Sequence, residues 1–193
     1  MLQNSVIASV FCLMALCGCA SNQRFADRVS PPEWTEFSDR LNNYTSLVDK
    51  LEKNLPPLPD KAEPEQITSN KKALADAIRE ARKGAKPGDV LAPSVQEQLI
   101  AIIRTEVRGA EGKAAKKTIA EDNPNKPNQA PQAPLAVNAV YPEGAPLSTV
   151  PPTLLLRLPK LPEPVEYRFI GKALVLRDVR ANIIVDYIPN ALS

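Results

Sequence analysis

The sequence predicts an α+β fold: an N-terminal antiparallel bundle of about three helices, a proline-rich linker and a small C-terminal antiparallel β-meander. Three observations carry this. From Trp34 to Leu55 apolar residues recur at alternating intervals of three and four, the seam of a helix. From Ala110 to Pro134 that periodicity gives way to proline, asparagine and lysine. From Val165 to Arg177 apolar and polar residues alternate around a glycine-led turn, the pattern of a hairpin.

The first helix starts at Ser30-Pro31-Pro32-Glu33, where serine caps, proline suits the first turn and glutamate completes a capping box. Its seam is Trp34, Phe37, Leu41, Tyr44, Val48, Leu51 and Leu55, and Pro56-Pro57 stops it. A second helix begins near Pro64 with Ile67, Leu74, Ile78, Ala81 and Ala85 on one face, and Lys86-Pro87-Gly88 ends it. A third starts at Ser94, with Glu97 completing a second capping box. Val95, Leu99, Ile102, Ile103 and Val107 form its seam, and Gly109 supplies the stop. Short connections make the three an antiparallel bundle whose seams form its core. The alternative is that the aromatic side of helix one, Trp34, Phe37 and Tyr44, contacts a partner helix or drives self-association.

Residues 110–134 lack the apolar content to fold alone and read as a solvated, disordered linker. Leu135 to Tyr141 reads as a short extended segment; residues 151–159 read as one or two turns of helix or a strand, with the proline at the first turn favouring the helix. Val165–Ile170, Gly171-Lys172 and Ala173–Arg177 form a two-residue hairpin, and leading glycine suits a type II′ turn. The loop length fixes the register: Phe169 opposite Leu174, Tyr167 opposite Leu176, and Glu166 opposite Arg177. A third strand follows at Ile183–Ile188. Three strands need cover, from Leu154–Leu158 or from the bundle.

Composition narrows the chemistry. The chain has 193 residues, 24 basic and 22 acidic, so no basic excess points to nucleic acid. Histidine is absent, which removes the usual general base near neutral pH and the commonest metal ligand. The three cysteines are Cys12, Cys17 and Cys19. No phosphate-binding glycine loop occurs, and no cofactor or metal is expected. Asp178, Asp186 and Glu166 are the one carboxylate group that invites an acid–base or calcium reading, as in a glycan hydrolase of the cell wall. The plainer reading pairs them with Arg168, Arg177 and Arg180.

Val6 to Leu16 is an uncharged apolar run of signal-peptide length, too short to span a bilayer. It ends in Leu16-Cys17-Gly18-Cys19, which resembles the lipobox of bacterial envelope lipoproteins. In that family the cysteine is acylated and becomes the new N-terminus, which implies a lipid, such as palmitate, on Cys19. The leading Met1-Leu2-Gln3-Asn4 departs from the pattern in carrying no positive charge, and ordinary cleavage after Ala20 is the alternative. The resemblance implies a protein facing the periplasm, and, in a Gram-negative host, Ala20 after the cysteine implies the outer membrane. The boundaries are then a signal peptide at 1–19, a tether at 20–29, the bundle at 30–109, the linker at 110–134 and the β module at 135–193. Tyr167-Arg168, Gly171 and Ile184-Val185-Asp186 give the last 30 or so residues a likeness to periplasmic nickel/cobalt homeostasis proteins, but no metal function is carried over. The expectation is a non-catalytic, membrane-anchored binding or scaffolding protein with an envelope protein as partner. The alternatives are a self-assembling structural protein or a carboxylate-dependent enzyme.

Overall fold

A computed structural model describes residues 32–121, 123–125 and 132–193. The leader, Cys19 and the expected cap Ser30 lie outside these residues. The described chain forms α1 (Pro32–Glu52), α2 (Pro64–Ala81), α3 (Pro93–Arg108), α4 (Gly112–Glu121), α5 (Pro152–Leu155), β1 (Val165–Ile170), β2 (Ala173–Asp178) and β3 (Ile183–Ile188). The fold is α+β: helices first, then a three-stranded antiparallel sheet in the order β1-β2-β3. No described helix is long and apolar enough to cross a membrane.

The helical seams are core. Phe37, Leu41, Tyr44 and Val48 of α1 are buried with Leu74 and Ile78 of α2 and Val95, Leu99, Ile103 and Val107 of α3. The same cluster continues into Tyr167, Phe169, Leu174, Leu176 and Ile188, so the helices cover one face of the sheet. The opposite face buries Ile170, Val175 and Ile184 under Tyr141 and Ala133. One apolar layer therefore unites the regions expected as separate bundle and β module.

The hairpin register is as the turn dictates. Phe169 faces Leu174, Tyr167 faces Leu176 and Glu166 faces Arg177. Gly171 has φ +60° and Lys172 is not among the positive-φ residues, which matches a type II′ turn. Segment 138–141 runs antiparallel beside β3: Asn138 N–H donates to the Ile184 carbonyl, and Tyr141 N–H to Asn182. A bulge between β2 and β3 interrupts the pairing after Leu176/Asp186, leaving Val185 without an opposite residue. Val185 and Asp186 both turn toward the helices as a result, one into the core and one onto the loop after α2.

Three expectations need correction. Residues 112–121 are helix α4, not disordered linker. Ala115 and Ile119 are four apart and buried, while Gly112 sits so close to α3 that an added Cβ would lie 2.3 Å from the Val107 carbonyl oxygen. Such a helix is too short and polar to stand alone, and contact with α3 stabilises it. α3 begins at Pro93, one residue before Ser94, with buried Ala92 at the cap and no side-chain cap bond. Proline at the first helical position has the φ of the first turn, and the N–H it lacks would have no partner within the helix, so it sets the start. α2 ends at Ala81, before Lys86, and Ile67 in its first turn stays 38% exposed.

Candidate functional site

The aromatic residues of α1 divide. Phe37 and Tyr44 are 2% and 4% exposed, filling the chain's own core, and so are closed to a partner helix. Trp34 is half-buried, meets Phe37 edge-on at 6.3 Å between ring centroids, and borders an open groove. The α1 seam from Phe37 to Val48 is packed inside the fold, while Trp34, Leu51 and Leu55 stay partly open.

Asp178 and Asp186 are fully buried, and they do different work. Asp186 accepts main-chain N–H groups from Gly88, Val90 and Leu91 at 2.8–3.2 Å, together with its neighbour Tyr187 at 2.8 Å. Its carboxylate thus pins the loop between α2 and α3 onto β3. Asp178 accepts the Tyr44 hydroxyl at 3.0 Å and the Arg180 N–H at 2.8 Å. Arg180 in turn bridges Asp49 and Glu52 of α1 at 2.7 and 3.0 Å. Glu166 pairs with Arg168 and Arg177, both at 2.6 Å. The three carboxylates are thus held by separate sets of partners, and two of them are sealed from solvent.

Burial, Asp178's charge and its hydrogen bond all push the Tyr44 phenol above its ordinary value of 10.0. Arg82, at the end of α2, lies 5.0 Å over the Tyr44 ring. It donates to the Asn138 side chain at 2.8 Å and the Val185 carbonyl at 3.1 Å, and the Asn138 amide returns a bond to the Arg82 carbonyl. Burial lowers the Arg82 pKa, opposed by Tyr44, Asp186 and Asp89. Sequence reasoning missed this lock. Asn138 carries a local signal, since its φ of +62° suits a turn asparagine, but Arg82 lies 56 positions away.

Two open grooves flank α5. A groove of about 510 Å³ runs beside Trp34, Ile102, Leu158 and Pro159. A second, of about 440 Å³, lies along Leu155, Leu161, Tyr167 and Arg168. Lys160 and Pro159 line both, so the 152–160 segment is a ridge between them. Glu106 anchors the ridge by accepting the Thr153 hydroxyl and pairing with Arg157 at 3.8 Å. Asp39 also lines the first groove and Glu166 the second, so each has an apolar floor with charges of both signs at its edge and can hold a partner without covalent chemistry. No group of three or more acidic or cysteine side chains able to hold a metal occurs among the described residues.

Comparison with known proteins adds no relative: no family model, no curated protein and no solved structure matches the chain.

Proposed function

We propose that the chain is an exported envelope lipoprotein, tethered by a lipid on Cys19 and facing the periplasm, that binds or scaffolds an envelope partner. The observation that carries the reading is Leu16-Cys17-Gly18-Cys19 at the end of an apolar run. Two others support it. No histidine occurs, and no cysteine follows Cys19, so an acylated mature chain has no free thiol and no imidazole. Asp178 and Asp186, the strongest acid–base candidates, hold internal hydrogen bonds. Of the α1 aromatic residues, Trp34 is the one left partly open to meet a partner, since Phe37 and Tyr44 are buried.

The test is palmitate labelling in the producing cells. Wild type incorporates label and Cys19→Ser does not. An unlabelled wild type, or label that persists on Cys19→Ser, overturns the anchor.

A further inference from the structure

Residues 151–162 read Pro-Pro-Thr-Leu-Leu-Leu-Arg-Leu-Pro-Lys-Leu-Pro, with two cations and no acid. The turn of α5 sorts the leucines. Leu154 and Leu158, four apart, enter the core at 0% and 7% exposure, while Leu155 and Leu156 are 47% and 88% exposed. Nothing in the core needs the outward pair. Its backbone is also closed: Leu154 and Leu155 N–H donate to the Pro151 carbonyl, Leu156 to Pro152, and Arg157 and Leu158 to Leu154. A turn with its donors satisfied can enter an apolar interface without stranding them.

Charge and position choose the occupant. Arg157, with a 54% exposed side chain, and exposed Lys160 flank the two leucines. Glu106 is buried and engaged by Thr153 and Arg157. The exposed acids Asp39, Glu111 and Glu163 lie on the margins of this face, outside the Pro151–Pro162 segment that carries the two leucines and both cations. Trp34, in the first turn of α1, lines the same groove as Arg157 and Lys160. The described fold therefore begins on the α5 side, and residues 20–31 reach at most about 40 Å from Cys19.

We infer that α5 is a second membrane contact: Leu155 and Leu156 enter the headgroup–acyl boundary of an anionic phospholipid surface, with Arg157 and Lys160 at phosphate level. This rests on the reading of Cys19 as the anchor, and adds to it by holding the tethered domain in one orientation. Interfacial binding of this kind combines apolar burial with attraction to anionic lipid.

The acylated protein is reconstituted into vesicles of phosphatidylethanolamine with phosphatidylglycerol, carrying an environment-sensitive fluorophore on Leu155→Cys or, as control, on Lys72→Cys. The probe at 155 shifts to the blue and is quenched by brominated lipid, and the probe at 72 is not. Leu156→Ser combined with Arg157→Gln and Lys160→Gln lowers the quenching about tenfold. Circular dichroism checks that this variant stays folded, as expected for exposed positions. A probe at 155 as solvent-exposed as that at 72 overturns the inference, as does crosslinking of position 155 to an envelope protein in place of lipid. Vesicle flotation reports the anchor separately: it depends on Cys19 whatever α5 does. If wild type is not acylated, the same quenching on protein mixed with vesicles still decides the α5 contact.

Discussion

Asp186 is fully buried and Leu156 is 88% exposed, the reverse of what side-chain polarity alone dictates. The two positions differ in what surrounds them. Gly88, Val90 and Leu91 turn their N–H groups inward, and the Asp186 carboxylate replaces the water they would otherwise need. At α5 the core-facing directions of one helical turn are taken by Leu154 and Leu158, so their neighbours face out. Available partners decide burial at the first site, and helical geometry decides it at the second. A buried charge with four main-chain donors is a structural lock; a leucine pair with no internal role is a surface for something else.

The largest effect expected is at the lock. Asp186→Ala strands the loop donors and should lower stability by about 3–5 kcal/mol, read by urea unfolding. A loss under about 1 kcal/mol would mean that the loop finds water instead, and the contrast with α5 would collapse. Gly112→Ala should cost about 1–3 kcal/mol, because its methyl has no space beside the Val107 carbonyl. Hydrogen exchange should show the damage concentrated in 112–121, and uniform loss of protection would refute α4 as a separately docked element.

Tyr44→Phe should cost about 1–2 kcal/mol by leaving buried Asp178 short of a donor. The alkaline limb of stability sharpens the same point. Burial raises both the Tyr44 and Tyr167 phenols above their ordinary 10.0. The unfolded chain releases these protons above pH 10 while the folded chain retains them, so their contribution is full below 10 and is lost as pH rises. Tyr44→Phe should make unfolding less sensitive to pH above 10, and an unchanged pH profile would show that the phenol is not linked to folding. The smallest effect is at α5: Leu155→Ser with Leu156→Ser should change stability by no more than about 0.5 kcal/mol. A larger loss would place these leucines in the core and remove their claim as a contact surface.

Much of the fold is local and therefore legible. The α1 seam from Phe37 to Val48 needs only a helical period to appear, and the hairpin register follows from the two-residue loop at Gly171-Lys172. α4 was illegible for a physical reason: it is stabilised by burying Ala115 and Ile119 against the rest of the chain, with Ile119 joining the main core, not by contacts within itself. Asn123 shows the same limit. It sits in a stretch that reads as linker, yet its side chain clamps both the N–H and the carbonyl of Gly171 at 2.9 and 3.0 Å.

The sequence by itself determined α1 to α3, the three strands, the turn and its register, and the apolar run that ends at Cys19, because each depends on neighbours a few residues apart. Only the tertiary structure decided which carboxylates are sealed, which aromatic residues remain open and which leucines face outward. Those outcomes depend on groups far apart in the chain, such as Asp186 meeting Gly88 and Tyr44 meeting Asp178, and no spacing within one segment encodes them.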